Sequence, residues 1–219
     1  MILANHLVRT FSDGDHQAVQ ALKLDHFYLS SGENCAVTGP SGSGKSTFLH
    51  CLAGILRPTE GTVFVDDLCL SEMKEKEAAV WRASYVGYVF QKPLLLPFLT
   101  VMENILLSAE LAGRKDSRTE AERFLSAVGL DQYGSKNPVH LSMGEQQRVS
   151  FVRAVIREPR LLLADEPTSS LDRDNSAVLM KLMLQYQKQS GCMLICATHD
   201  PAVQALFDHQ FSMNRRKME

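Results

Sequence analysis

The chain has 219 residues, of which 45% are hydrophobic and 22% are charged, and its formal net charge is −2. This composition excludes a disordered chain, and the length suits one large α/β domain with a smaller inserted lobe. The small net charge gives no strong attraction to nucleic acid, so we predict no nucleic-acid partner. No apolar run approaches the ~20 residues that span a bilayer, and no basic region precedes a long apolar stretch as in a secretory signal. If the protein works at a membrane, another chain must supply the spanning helices.

The chain begins with two strand-like stretches between Ile2 and Leu29, separated by Asp13-Gly14-Asp15. An Asp-Gly pair in this position favours a β-hairpin. The following segments predict a short buried strand, a Gly-rich loop, a helix and another buried strand. In chain order these are Cys35 to Thr38, Gly39 to Gly44, Lys45 to Ile55 and Val86 to Phe90.

Helical patterns dominate from Val101 to about Arg157, with polar breaks near Gly113 to Ser117 and Tyr133 to Pro138. Strands return at Leu161 to Ala164 and at Met193 to Ala197, with a helix at Ser176 to Lys188 between them. Alternating strands and helices favour a parallel sheet with crossover helices. We therefore predict a single α/β domain with a parallel-sheet core at residues 1–90 and 159–219. The core includes an N-terminal antiparallel hairpin, and an α-helical subdomain is inserted at about residues 91–158.

A phosphate-binding loop is predicted where the sequence fits G-x-x-x-x-G-K-[ST] between an apolar strand and a helix. Glycines let backbone N–H groups approach phosphate oxygens, and the helix N-terminus contributes the positive end of its dipole. Lys45 is expected to reach the β- and γ-phosphates, and Ser46 to offer its hydroxyl to Mg²⁺. The predicted nucleotide-binding residues of this loop are Gly39, Pro40, Ser41, Gly42, Ser43, Gly44, Lys45, Ser46 and Thr47. The motif predicts a P-loop nucleotidase without saying which one.

Two carboxylates, Asp165 and Glu166, follow the apolar run Leu161 to Ala164. In a P-loop enzyme an Asp at such a strand end supports the Mg²⁺ shell. The following Glu can orient the attacking water and accept its proton. We predict Asp165 as a metal residue and Glu166 as the general base.

The segment from Leu141 to Arg148 reads Leu-Ser-Met-Gly-Glu-Gln-Gln-Arg, which resembles the signature motif of the ATP-binding cassette family. The resemblance extends in order over nearly the whole chain, and it implies roles for several other residues. Gln91 matches the family's Q-loop, which serves ATP and Mg²⁺, and Asp172 matches the D-loop. His199 matches the switch histidine that senses the γ-phosphate, and Phe11 matches an aromatic residue that stacks on adenine.

Such cassettes work as head-to-tail pairs in which each ATP lies between one phosphate loop and the partner's signature loop. The resemblance therefore implies ATP and Mg²⁺ as cofactors, a second copy of the chain as partner, and Ser142 and Gly144 as phosphate contacts. The sequence departs from the family's L-S-G-G-Q pattern at Met143 and Glu145. Ser142 and Glu145 also fit a capping box that opens a helix, and both interpretations are compatible. The departures leave the hydrolysis rate open.

Within the family, the sequence is similar to the lipoprotein-releasing, macrolide-efflux and haem-export type of ATPase. The segments that carry this likeness are Gly39 to Thr47, Leu94 to Pro97, Leu99 to Asn104 and Leu163 to Thr168. The resemblance implies an ATPase subunit that drives a separate membrane permease, at the cytoplasmic side of the inner membrane, as an exporter or a complex that transmits motion. Alternatives are a cell-division cassette that regulates peptidoglycan hydrolases, an importer ATPase, or a regulatory switch that hydrolyses ATP weakly. A soluble DNA-repair or translation cassette is disfavoured, because such proteins carry paired cassettes or long insertions.

Overall fold

The computed structural model describes residues 1–12 and 18–213. The chain forms two compact units: the first combines Met1–Arg82 with the chain from Met193 onward, and the second spans Ala83–Cys192. The predicted turn at Asp13-Gly14-Asp15 lies outside the described residues. The bounds predicted for a core and a helical subdomain stay a prediction.

Strands and helices alternate along most of the described chain. The strands are β1 (Ile2–Ser12), β2 (Ala18–Leu29), β3 (Asn34–Thr38), β4 (Glu60–Val65), β5 (Leu68–Cys69), β6 (Val86–Val89), β7 (Leu161–Asp165), β8 (Met193–Ala197) and β9 (His209–Ser212). The α-helices are α1 (Lys45–Leu52), α2 (Glu75–Tyr85), α3 (Val101–Leu111), α4 (Arg118–Ala127), α5 (Met143–Val155), α6 (Arg173–Ser190) and α7 (Pro201–Gln204).

The first unit contains an antiparallel sheet in the order β2, β1, β4, β5. β1 and β2 pair from Ile2 opposite Leu29 to Ser12 opposite Ala18, which confirms the predicted hairpin pairing. Strand side chains alternate between the two faces, so Leu22 and Leu24 are buried while Lys23 between them is exposed. Two elements were not predicted from the sequence: strand β4, which pairs with β1, and helix α2.

The first unit also contains three parallel strands, with β3 between β8 and β9. The carboxyl ends of parallel neighbours meet at one edge of a sheet, which is where α/β folds bind ligands. The phosphate loop follows β3 and His199 follows β8, so both lie at this edge. The Phe27 ring packs edge-on against two other rings, 5.0 Å from that of Phe48 and 5.1 Å from that of Phe211.

The second unit pairs β6 with β7 in parallel and packs helices α3 to α6 around a buried apolar core. The predicted breaks in the helical region are confirmed, because α3 ends at Leu111 and α4 ends at Ala127. Capping boxes at Thr100 and Ser142 begin α3 and α5, each with a glutamate three residues on that closes the box. In the described part of the chain, no helix has both the length and the apolar character needed to cross a membrane.

Candidate nucleotide-binding site

The loop after β3 takes a backbone course that two of its glycines make possible. Gly39 has φ +145, and a Cβ at this position would overlap the carbonyl oxygen of Met213. Gly44 has φ +94, and a Cβ there would collide with the carbonyl oxygen of Ala21. Side chains at either position would be strained by the backbone and displaced by their neighbours. The shape of the loop therefore requires glycine at positions 39 and 44.

Helix α1 begins directly behind this loop, with Gly44 as its N-cap. A glycine has no side chain to cap the first-turn N–H groups, so these groups and the helix dipole are directed to the loop. The Lys45 ammonium folds back over the loop and donates to the carbonyl oxygens of Gly39 at 2.9 Å and Pro40 at 3.2 Å. Its stem is buried and its charge lies at the loop, where a phosphate would be bound.

The loop also fits a phosphate through Ser43. The Ser43 hydroxyl is buried and makes no hydrogen bond with any residue that the structure describes. Buried hydroxyls are costly without a partner, and a phosphate oxygen is a suitable acceptor. Ser41, Gly42 and Ser46 are exposed around it, and Thr47 is half-buried.

His199 follows β8 at the same sheet edge as the phosphate loop. Thr198 is buried and donates its N–H to the carbonyl oxygen of Val37 in β3 at 3.0 Å. Asp200 caps α7 by accepting from the N–H of Ala202 at 2.8 Å. These neighbours fix the backbone on both sides, so the exposed imidazole is held at the edge where the resemblance predicts a switch histidine.

Phe11 lies near the end of β1, and its side chain is 38% exposed. The Arg9 guanidinium lies over the ring, 4.6 Å from the centroid, and donates to the carbonyl oxygen of Arg57 at 3.0 Å. Phe11 is therefore not a core residue. An exposed aromatic ring beside a fixed cation is suited to stacking on a flat base.

In the second unit, Asp165 and Glu166 lie at the carboxyl end of β7. The Asp165 side chain is largely buried, and its negative charge adds to burial in raising the pKa of the Tyr88 hydroxyl on the neighbouring strand. Glu166 is half-buried and takes a left-handed backbone conformation with φ +46. A non-glycine residue in this region is uncommon, and such strain is typical of functional sites.

Gln91 follows β6, the parallel neighbour of β7, so it lies at the same strand ends as the acidic pair. Its side-chain amide donates to the Ser169 hydroxyl at 3.1 Å. Ser169 in turn donates its N–H to the carbonyl oxygen of Glu166 at 3.2 Å. The structure therefore brings the predicted Q-loop glutamine and general base together through one serine.

The predicted capping box at the start of α5 is confirmed. The Ser142 hydroxyl and N–H each donate to a carboxylate oxygen of Glu145 at 2.8 Å. The pKa of Glu145 is lowered, first by a hydrogen bond with the Tyr133 hydroxyl and then by those from Ser142. Glu145 is therefore held as an anion at the N-terminus of a helix, where negative charge is stabilised.

Gly144 is buried, and a Cβ there would lie 2.7 Å from the Asn175 side chain. Asn175 links the predicted D-loop to α5: its amide donates to Asp172 at 2.8 Å, and its amide oxygen accepts from Arg148 at 2.9 Å. Asp172 also caps α6, and the hydrogen bonds from Asn175 lower its pKa. The close approach of α6 is a sufficient reason for glycine at 144, whether or not a phosphate is bound.

The residues predicted to hold Mg²⁺ have suitable chemistry. Ser46 offers a hydroxyl and Asp165 a carboxylate, which are the hard oxygen donors that Mg²⁺ prefers. Among residues 1–12 and 18–213 there is no cluster of three His, Cys, Asp or Glu side chains that could hold a metal. Mg²⁺ in nucleotide sites takes most of its ligands from phosphates and water, so each of these two side chains has suitable chemistry for a metal that arrives with the nucleotide.

No role was predicted from the sequence for three side chains that contact these loops: Gln147, Asn175 and Tyr133. Gln147 belongs to the motif that carried the resemblance, but only the structure shows its burial. Asn175 three residues after Asp172 is a helix-capping pattern that could have been found. The contact of Tyr133 with Glu145 depends on a turn between helices, so no periodic pattern in the sequence indicates it.

The fold and the phosphate loop define a P-loop nucleotide-binding protein of the α/β class. The sequence model of the family described as ABC transporter matches residues 22–169. The chain belongs to the ABC transporter family, which confirms the predicted family, its α/β P-loop fold and its class of ATPase.

Two curated relatives and one solved structure illustrate the likeness. The lipoprotein-releasing system ATP-binding protein LolD of Idiomarina loihiensis is 38% identical over 91% of this chain and 88% of its own. The putative hemin import ATP-binding protein HrtA of Staphylococcus haemolyticus is 36% identical over 98% of this chain and 97% of its own. The dimeric post-hydrolysis structure of the cassette MJ0796, bound to ADP and Pi, superposes with a TM-score of 0.91. It is 29% identical and covers 100% of this chain and 98% of its own.

The variant Met143→Gly with Glu145→Gln is expected to hydrolyse ATP as fast as the natural chain or faster. Met143 is exposed at the first helical position and needs no special backbone, and glutamine can still close the capping box. The change removes an anion from a helix N-terminus that would face a phosphate. The measurement is kcat of the chain in complex with the membrane subunit that the resemblance implies. Met143→Ala is the control, and a large fall in kcat for the double variant alone would show that Glu145 is required.

Proposed function

We propose that this chain is the ATP-hydrolysing subunit of a transporter in which a separate membrane permease moves the cargo. The observation that carries the proposal is the phosphate loop. Helix α1 begins behind it without a side-chain cap, and the Lys45 ammonium folds over it. Lys45 and the loop backbone bind the phosphates of ATP, and Phe11 stacks on its adenine. Ser46, Gln91 and Asp165 serve Mg²⁺. Glu166 takes the proton of the attacking water, and His199 stabilises the γ-phosphate.

Two copies of the chain are proposed to pair head to tail around two ATP molecules. Ser142 and Gly144 of each copy then approach the γ-phosphate bound by the other, and Asp172 lies beside this contact. The dimeric relative bound to ADP and Pi supports this arrangement. A surface patch comprising Leu94 and Phe98, which are 57% and 76% exposed, is proposed to receive the permease. We accordingly propose that the chain works at the cytoplasmic side of the inner membrane, bound through that subunit.

Export or transmission of motion is the favoured role, because the lipoprotein-releasing relative aligns over nearly the whole chain. The relative named for hemin import keeps an importer ATPase as the alternative. A weakly hydrolysing switch is a second candidate, because the Ser142 hydroxyl donates to Glu145 instead of facing outward without a partner. The rate of ATP hydrolysis by the full complex distinguishes the two candidates, because a regulatory switch hydrolyses ATP slowly and a transport ATPase hydrolyses it repeatedly.

Phe11→Ala is expected to weaken ATP binding by about 5–30-fold, since one stacked aromatic contact with a neighbouring cation contributes about 1–2 kcal/mol. Binding of a fluorescent ATP analogue to the purified chain measures the effect. Tyr28→Ala, which removes another exposed aromatic of the same antiparallel sheet, is the control and should bind normally. Equal affinities of the two variants would contradict adenine stacking on Phe11.

A further inference from the structure

Gln147 is a polar side chain in the interior of the second unit, with 1% of its surface exposed. It lies on α5, shortly after the signature residues that begin this helix. Its side-chain nitrogen donates to the carbonyl oxygen of Phe90 at 2.8 Å and to that of Pro167 at 3.1 Å. A buried amide whose two N–H bonds both reach backbone carbonyls is firmly fixed, because breaking either bond leaves a buried acceptor unsatisfied.

The two carbonyls belong to residues next to the proposed chemistry. Phe90 directly precedes Gln91, and Pro167 directly follows Glu166. Glu166 has the left-handed φ of +46, so its conformation must be maintained by its surroundings. Gln147 anchors the backbone on the carboxyl side of that strained residue and, with the same amide group, the backbone on the amino side of Gln91.

The amide oxygen of Gln147 supports the view that the two donated hydrogen bonds hold this side chain. The amide oxygen of Gln147 is buried and accepts no hydrogen bond from any described residue. The side chain is therefore held through its two donated bonds. A residue placed only to fill space would be apolar, since burying an amide has a cost that these bonds must offset.

We propose that Gln147 is a positioning residue for ATP hydrolysis, which sets the distance between Gln91 and Glu166 by bridging the backbone beside each. The proposal rests on the proposed function, in which Gln91 serves Mg²⁺ and Glu166 activates water. Gln147 itself does not touch nucleotide or metal. Since Ser142 caps the start of α5, a shift of the signature loop along this helix would also move both catalytic loops.

The test is Gln147→Met, which keeps the length and volume of the side chain and removes both donors. We expect kcat to fall by about 10–100-fold, because misplacement of catalytic groups by about 1 Å has effects of this size. The KM for ATP should change little, since the phosphate loop and Phe11 are untouched. The Mg²⁺ concentration for half-maximal turnover should rise, because the position of Gln91 is no longer fixed.

The matched control is Gln187→Met on α6. Gln187 is also buried and donates to a backbone carbonyl, but that carbonyl belongs to Cys192, 3.3 Å away, a residue to which the proposed mechanism gives no role. The Gln187→Met variant should have a lower Tm than the wild type but the same kcat. A folded Gln147→Met enzyme with normal kcat and Mg²⁺ dependence would overturn the proposal, as would equal losses of kcat in both variants.

If Gln147→Met does not fold, Gln147→Asn makes the same test, because it keeps the amide but cannot reach both carbonyls. Its kcat should also fall with KM preserved, and a normal kcat would overturn the proposal. The wild-type chain separates the two hypotheses. Wild-type protein that neither binds nor hydrolyses Mg-ATP contradicts the proposed function and this inference together, whereas an active wild type with unaltered Gln147 variants contradicts the inference alone.

Discussion

Lys45→Ala is expected to abolish tight ATP binding and turnover. The Lys45 ammonium is the cation that the phosphate loop itself supplies, and its charge-assisted bonds to phosphate oxygens are each worth about 1.5–3 kcal/mol. Affinity for ATP should fall by at least about tenfold, and kcat should fall further because negative charge on the γ-phosphate increases in the transition state. Nucleotide binding and steady-state hydrolysis by the purified chain measure the two effects.

The alanine variant also removes a buried stem and two hydrogen bonds to loop carbonyls, at Gly39 and Pro40. Lys45→Met restores most of the buried volume and isolates the missing charge. Both variants should lose activity, while Lys76→Ala, on an exposed part of α2, should retain it. Near wild-type turnover in Lys45→Met would contradict the phosphate-loop assignment.

Much of the fold could be predicted because its elements carry local signals. The strand, Gly-rich loop and helix from Cys35 to α1 are adjacent in sequence and have strong periodic or turn patterns. The helix breaks between α3 and α5 are marked by polar and glycine residues in the same way. β4 and α2 were missed because neither has a continuous apolar run. Only Val63 and Val65 are buried in β4, and only Ala78 and Trp81 in α2.

The individual site residues could be named from motifs, but their mutual contacts could not. The strain at Glu166 and the bridge made by Gln147 depend on long-range packing between α5 and two strand ends. The motif also gave no sign that Gly144 is buried against Asn175. Motifs indicate which residue types the chemistry needs. The contacts that hold those residues in position depend on tertiary structure, which a single sequence does not reveal.

The signature loop shows how one residue can serve two physical requirements. Ser142 and Glu145 satisfy the orphan N–H groups at the start of α5, which any buried helix start needs. The same geometry gives the helix N-terminus a defined position, which is what recognition of a phosphate needs. The cost of the arrangement is an anion near the proposed γ-phosphate contact. This is the physical reason for expecting an equal or faster rate when Glu145 is neutralised.

Glu166→Gln is expected to bind ATP but to hydrolyse it about 10²–10⁴-fold more slowly, the usual range for loss of a general base. Glutamine keeps the size and hydrogen-bonding shape of the side chain but cannot take a proton. Lys45, Ser46 and Ser142 all remain. Uncleaved ATP should then hold two copies together, so the variant should dimerise with Mg-ATP but not with Mg-ADP, as measured by sedimentation of the chain and of its complex with the permease.

The chain offers a close control in Glu158→Gln. Glu158 is another glutamate with a left-handed backbone, φ +50, and its 63% exposed side chain pairs with Arg114, 2.7 Å away. A glutamine side chain can still accept a hydrogen bond from Arg114, and Arg114 keeps its second ion pair, with Glu120 at 2.7 Å. This variant should therefore keep most of its stability and all of its turnover. Normal hydrolysis by Glu166→Gln in the complex would show that another group is the base. An inactive Glu166→Gln variant that does not dimerise with Mg-ATP would separate the two parts of the proposal. Glu166 would then be required for hydrolysis, but ATP would not hold the dimer together. A single-site switch would become the better description.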